Sequence, residues 1–293
     1  MSITVEAQFA HEVINKCLGN ELENRLAVEV GAWDGIHKSN IMSLVRDWGY
    51  RGVFIEGSEK RYSSLKKNYI DLDRVVTINA FVEKDGSQSF DRLLDDAGIK
   101  DEVDFLSIDI DGNDYYIFKS IEEYLPKILC IEFNPTIPNE VEYVQEYDPN
   151  KGQGSSLLSL CLLAESKGYD LVKLTPINAI FMRKNIECNI TRYSHKDIVE
   201  LRDDSKVKVY LFAGFDGSVF SNAEHLNLSW HRMHLILGKL SPVPRFLRGL
   251  PVTYGPIKKM VYYILLLINR PDLREWERIK KYINTRKNRN KKC

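Results

Sequence analysis

The chain has 293 residues, 44% of them hydrophobic and 28% charged, with a formal net charge of zero. This is globular composition; it excludes wholesale disorder, a collagen-like repeat and a polytopic membrane protein, and it leaves room for one large domain with an appendage. The neutral total hides an asymmetry. Residues 231–293 hold sixteen Lys or Arg against three acids, so residues 1–230 carry the compensating negative charge. A basic end of this kind looks for an anionic partner, either a membrane surface or nucleic acid.

Strand and helix signals alternate from Leu26 to Arg183. The run Leu26–Val30 reads as a buried strand ending at Gly31, and an apolar-polar helix pattern follows over Ser39–Trp48, closed by Gly49. Gly52–Glu56 is a second strand, and Ser58 is placed to cap a helix over Glu59–Tyr69. Arg74–Asn79 is a third strand, Phe90–Ala97 a short helix and Val103–Asp109 a fourth strand. A helix over Asp114–Tyr124 stops near Pro126, and Lys127–Glu132 is a fifth strand. After a polar loop, Asn134–Gly154, comes a helix over Ser155–Lys167, closed by Gly168. Tyr169–Leu174 and Ala179–Arg183 are strands joined by too few residues for a crossover helix, so that pair is antiparallel. Repeated βα units followed by one reversed strand match the element count of a Rossmann-like methyltransferase sheet, and the count alone leaves other doubly wound enzymes open. Beyond this, Val207–Ala213 reads as a strand and Lys258–Lys281 as a helix interrupted at Pro271. The last eight residues are mostly basic and expected to be mobile.

The five cysteines, Cys17, Cys130, Cys161, Cys188 and Cys293, are odd in number and none lies in a CxxC spacing. Neither a disulfide framework nor a zinc cluster is expected, and Cys130 and Cys161 sit in apolar runs that suit buried small hydrophobes. The N-terminal residues show no basic stretch followed by an apolar one, so no signal peptide is expected. The longest apolar run, Met260–Ile268, is far shorter than the roughly 20 residues of a spanning helix. These features point to the cytoplasm, with peripheral contact at the inner membrane face through the basic end.

In open α/β sheets, ligands sit beyond the carboxyl ends of the strands. Here the strand ends are Glu29-Val-Gly31-Ala-Trp-Asp34-Gly35, Glu56-Gly57-Ser58, Asn79-Ala80-Phe81, Asp109-Ile-Asp111-Gly112-Asn113-Asp114 and Glu132-Phe-Asn134-Pro135. An acid about 20 residues past a glycine turn is placed to bind ribose hydroxyls. The first turn lacks GxGxxG and carries Asp34 where a pyrophosphate would have to approach, which argues against a dinucleotide. S-adenosylmethionine has a ribose and an adenine and bears cationic groups in place of phosphate, so it suits a negative turn.

The segments Val28–Gly35, Phe54–Gly57, Phe105–Asp114 and Cys130–Pro135, in this order, resemble FkbM-type S-adenosylmethionine-dependent methyltransferases over Leu26–Arg183. The resemblance implies that Glu29, Gly31, Asp34 and Gly35 line the methionine part of the cofactor. Glu56 and Gly57 meet the ribose, Asn79, Ala80 and Phe81 flank the adenine, and Asp109 faces the cofactor as well. It also implies transfer to a hydroxyl, commonly of a sugar or glycan. The chain departs from the commoner family pattern at Asp111, where a Glu often precedes the glycine. Asp109, Asp111 and Glu132 are the candidate catalytic residues. A sugar hydroxyl is a very weak acid, and a divalent cation lowers its pKa. Asp109, Glu132 and Asn134 offer hard oxygen ligands suited to magnesium or manganese, in a layout similar to catechol-type O-methyltransferases.

The sequence therefore predicts a Rossmann-like class I methyltransferase domain over residues 1–230, with a mostly parallel seven-stranded sheet containing one antiparallel strand. A basic, partly apolar helical extension follows over 231–293. Two other readings stay open: a non-catalytic membrane-attached scaffold that keeps the cofactor fold, and a methyltransferase acting on a protein or nucleic acid. Nucleic acid is not the expected partner, because no binding motif accompanies the charge; a homo-oligomer is compatible with the sequence.

Overall fold

The computed structural model describes residues 4–19, 25–237, 240–269 and 280. The chain divides into two compact units, Met1–Ser205 and Lys206–Cys293. The boundary expected after Trp230 falls inside the second unit.

The first unit is built around β1 (Leu26–Val30), which is buried at all five positions. Its side chains alternate between the two faces of the sheet. Leu26, Val28 and Val30 enter one core cluster, and Ala27 enters the other. The partners are β2 (Arg51–Ile55), β3 (Val75–Ile78), β4 (Phe105–Ile108), β5 (Ile128–Glu132), β6 (Tyr169–Leu174) and β7 (Asn178–Arg183). They form one sheet of order β3-β2-β1-β4-β5-β7-β6. All neighbours are parallel except β7, which runs antiparallel to both β5 and β6. This is the Rossmann-like class I methyltransferase sheet that the sequence predicts. The helices are α1 (Val5–Leu18), α2 (Met42–Arg46), α3 (Glu59–Tyr69), α4 (Phe90–Asp96), α5 (Asp114–Ser120), α6 (Leu157–Ser166) and α7 (Ile198–Leu201).

Helix α2 is shorter than the expected Ser39–Trp48, as is the strand Leu211–Ala213 within the expected Val207–Ala213, and three further features depart from the sequence reading. Helix α1 was not anticipated: half of its buried face is alanine (Ala7 and Ala10, beside Val13 and Ile14), a weak periodic signal, and Thr4 Oγ accepts from Ala7 N at 3.1 Å to cap it. Helix α5 stops at Ser120 instead of running to Tyr124, because the Asp91 carboxylate accepts from the main-chain N–H groups of Glu122, Glu123 and Tyr124 and draws them out of the helix. Cys17 and Cys188 form a disulfide with Cα atoms 5.1 Å apart. They lie 171 residues apart in sequence, so spacing gave no sign of the pairing. Cys130 and Cys161 are free and buried, as expected.

The second unit holds two hairpins, β8 (Leu211–Ala213) with β9 (Val219–Ser221) and β10 (His225–Leu228) with β11 (Met233–Ile236), and then α8 (Pro256–Asn269). Only Leu237, Leu247 and Tyr254 are buried apolar side chains among its described residues. The expected break at Pro271, the helix beyond it and the basic final residues lie outside the described residues, Lys280 apart. No helix among the described residues is long and apolar enough to cross a membrane.

Candidate active site

The loops at the carboxyl ends of β1, β2, β4 and β5 bring the expected residues to one end of the sheet. Gly31 has φ +85°, and a Cβ there would lie 1.8 Å from the Asp109 carbonyl oxygen. A side chain at this position is thus barred by the backbone of the β4 end. Gly35 also has a positive φ (+71°), and its missing Cβ would meet the Tyr69 ring at 2.5 Å, so this glycine serves packing against α3. Asp34 turns back on its own loop. Its carboxylate accepts from Ile36 N and His37 N at 3.0 and 2.9 Å and pairs with His37 Nδ1 at 2.6 Å. Burial opposes its charge, but the His37 and Ile36 bonds outweigh that and hold its pKa below the usual value.

Glu29 sits inside β1, buried, on the Ala27 face. Ser39 Oγ and Asn40 N both donate to it at 2.6 Å, so it organises the turn leading into α2. Burial pushes its pKa up to about 8 despite those bonds. Glu56, at the end of β2, is also buried. Trp33 N donates to Oε2 at 2.8 Å and Ser58 N to Oε1 at 2.7 Å. Ser58 precedes α3 as expected, but its side chain makes no capping bond. Beside Glu56, the Phe81 ring packs over Gly57, where a Cβ would lie 2.3 Å from the ring, and its other side is exposed. Asn79 Nδ2 donates to the Glu56 carbonyl at 2.8 Å, tying β3 to β2, while Ala80 is buried in the core.

At the ends of β4 and β5, carboxylate oxygens of Asp109, Asp111 and Glu132 all lie within 4.8 Å of one another. Asp111 reaches the cluster from a left-handed backbone, φ 59°, which is uncommon outside glycine and tolerated best by Asn and Asp. Burial raises the Glu132 pKa to about 9, with Asp109, Asp114 and Asp111 adding to the rise. Asp109 is raised by burial and then by Asp111. Asp114 does not join the cluster. It accepts from Ile110 N and Gly112 N, both at 2.9 Å, and so closes the turn that carries Asp111. Burial raises its pKa to about 7.

Asn134 is committed elsewhere. Its Oδ1 accepts from Thr136 N and Oγ1 at 2.9 and 2.7 Å, and its Nδ2 donates to the Gln153 carbonyl at 2.6 Å. Of the three expected metal ligands, then, the structure gathers Asp109 and Glu132, with Asp111 as the third carboxylate. The polar loop after β5 is ordered around Gln145, which is fully buried. Its Nε2 donates to Asn113 Oδ1 and to the Lys151 carbonyl, and its Oε1 accepts from Gln153 N and Gly154 N. Gly112 makes room for this loop, since a Cβ there would lie 2.4 Å from the Lys151 oxygen.

A cleft of about 710 Å³ opens at this end of the sheet, lined in part by Asp34, His37, Asn40 and Asp109. Glu6 from α1 and Asn178 from the start of β7 also line it, and Asn178 Nδ2 donates to Glu6 Oε1 at 3.1 Å. Neither was anticipated: Glu6 belongs to the unanticipated α1, and Asn178 enters because antiparallel β7 begins opposite Glu132. A second cleft of about 640 Å³ lies at the other end of the strands, near Val103, Tyr169 and Arg183, away from the acids.

No protein-family model matches the chain, and no curated protein matches it. Similar solved structures include the N-terminal domain of EvdMO1 in the presence of SAH and D-fucose, 13% identical over 61% of this chain and 82% of that one, TM-score 0.40. An S-adenosylmethionine-dependent methyltransferase from Clostridium acetobutylicum is 10% identical over 61% of this chain and 92% of that one, TM-score 0.38. The mitomycin 7-O-methyltransferase MmcR is 14% identical over 61% of this chain and 52% of that one, TM-score 0.36. The fold stands on the order and direction of the chain's own strands.

Proposed function

We propose that the chain is an S-adenosylmethionine-dependent O-methyltransferase of the FkbM type acting on a sugar or glycan hydroxyl. The observation that carries this reading is the meeting, at one end of the sheet, of a fixed carboxylate at β2 and a three-carboxylate cluster at β4 and β5. Each Glu56 oxygen accepts a single main-chain bond and keeps a further acceptor position, which matches two neighbouring ribose hydroxyls. Phe81 over Gly57 offers a flat apolar face next to it for an adenine. The carboxylates of Glu6, Asp34 and Asp109 along the cleft outnumber its one lysine, Lys38, so the lining suits a cationic sulfonium over a phosphate.

When bound, S-adenosylmethionine supplies an electrophilic methyl group on a positively charged sulfur. The protein's task is to hold the acceptor oxygen in line and take its proton. Asp109, raised by burial and by Asp111, is a stronger proton acceptor than an ordinary surface carboxylate, whereas Glu132, raised to about 9, keeps its own proton at neutral pH. A divalent cation also fits these residues. Three hard oxygen donors crowd together in a partly desolvated site, and the charge they press on one another is what a cation relieves. Asp109, Asp111 and Glu132 would hold it, and it would acidify the acceptor hydroxyl.

The test combines calorimetry with S-adenosylhomocysteine and transfer of labelled methyl groups to a panel of hydroxyl-bearing glycosides, amines and peptides. Each transfer assay is run in chelator and again with added magnesium. Expected are binding of the product cofactor and label on the glycosides. Absence of cofactor binding refutes the enzyme reading, label on amines alone refutes the acceptor class, and full transfer in chelator removes the cation.

A further inference from the structure

The second unit leaves most apolar side chains of its described residues short of burial. Among its described residues three apolar side chains are buried, whereas Phe246, Leu250, Val252 and four residues of α8 lie exposed. In α8, Ile257, Met260, Ile264 and Ile268 are between 53% and 77% exposed. Their spacing of three, four and four residues sets them in one stripe along the helix, and α8 has no buried residue at all. Contiguous exposed apolar surface of this kind marks a docking face.

Charge identifies what it docks on. Residues 240–269 contain Arg245, Arg248, Lys258 and Lys259 and no Asp or Glu. Across residues 206–293 there are eighteen Lys or Arg against five acids. A symmetric pairing of two copies through this face would set like charge against like, which opposes a homodimer here. An anionic lipid surface satisfies both halves of the pattern, taking the apolar stripe among its acyl chains and the cations at its headgroups. The apolar run Met260–Ile268 is far shorter than the roughly 20 residues a spanning helix needs, so α8 lies along the surface. We propose that this face of the second unit binds an anionic membrane, with α8 in the interface and its Ile257–Ile268 stripe inserted. The inference is independent of the chemistry assigned to the first unit.

The full chain is tested by co-sedimentation with vesicles of phosphatidylcholine alone and with about one third phosphatidylserine. Expected is binding to the mixed vesicles at least tenfold above that to neutral ones, with release at about 0.5 M salt. Ile264→Glu abolishes binding. Lys258→Gln with Lys259→Gln weakens it by about 30-fold, at the usual contribution per surface cation. Far-UV circular dichroism checks that the variants keep their fold; Ile264 is exposed, so its replacement leaves the core intact. The proposal is overturned if the mixed vesicles bind no protein, if neutral vesicles bind equally, or if Ile264→Glu binds as well as the unaltered chain. It is equally overturned if Ile264 proves to hold a concentration-dependent dimer with no affinity for vesicles.

Discussion

Replacing Glu56 by Gln tests the cofactor end of the site with the smallest change in shape. The native carboxylate accepts from Trp33 N at 2.8 Å and Ser58 N at 2.7 Å, one on each oxygen. Gln keeps one acceptor oxygen and presents an NH₂ group to the other main-chain N–H. One of the two N–H groups is then left unpaired in a buried site, at a cost of about 1–3 kcal/mol in stability. The same substitution removes one charged acceptor for a ribose hydroxyl. A hydrogen bond to a charged group contributes about 1.5–3 kcal/mol, so S-adenosylhomocysteine is expected to bind about 10- to 150-fold more weakly. Calorimetric titration of both proteins, with urea unfolding of each as a control, separates the two effects. If Glu56→Gln loses stability as expected yet binds the product cofactor with unchanged affinity, Glu56 is a turn-forming residue only and the ribose assignment is wrong.

Asp109→Asn is expected to abolish methyl transfer while raising stability by about 1 kcal/mol, read as a higher melting temperature, because Asp109 is among the charges that hold the Glu132 carboxyl up near 9. A loss of stability would contradict the repulsion argument. Glu29 makes stability depend on pH: buried, it keeps its proton to about 8, while the unfolded chain releases it near the ordinary 4.5. Between those values the native state binds more protons, so this group's contribution falls as pH rises, by up to about 1.4 kcal/mol per pH unit. Urea unfolding at several pH values should show that slope as the difference between the native chain and Glu29→Gln, and identical slopes would refute the assignment. Reducing the Cys17–Cys188 bond, which closes a loop spanning 171 positions, is expected to cost about 2–5 kcal/mol. A melting curve indifferent to reductant and to Cys17→Ser would show the bridge contributes nothing in solution.

The sequence by itself determined the sheet. Alternating βα signals from Leu26 to Arg183, with a hairpin too short for a crossover, already imply a parallel sheet with one reversed strand, and the structure has it as β7. That is legible because strand and helix periodicity, and the turn that ends each strand, are written in neighbouring residues. The strand-end carboxylates were legible for the same reason: once the strands are placed, so are Glu56, Asp109 and Glu132.

What the site residues do with their side chains was decided only by the tertiary structure. Asn134 looks like a metal ligand in sequence, yet its side-chain oxygen accepts from Thr136 N and Oγ1. Asp111 reads as a catalytic acid in sequence, but only the fold shows how it arrives beside Asp109 and Glu132, from a left-handed backbone. Glu6 and Asn178 meet from positions 172 apart, and Cys17 meets Cys188 across a similar distance. Gln145, one polar residue among many in its loop, becomes the buried hub that fixes the loop against Asn113. Each of these outcomes depends on which distant group reaches a given donor or acceptor first. Long-range packing sets that competition, and no local pattern in the chain records it.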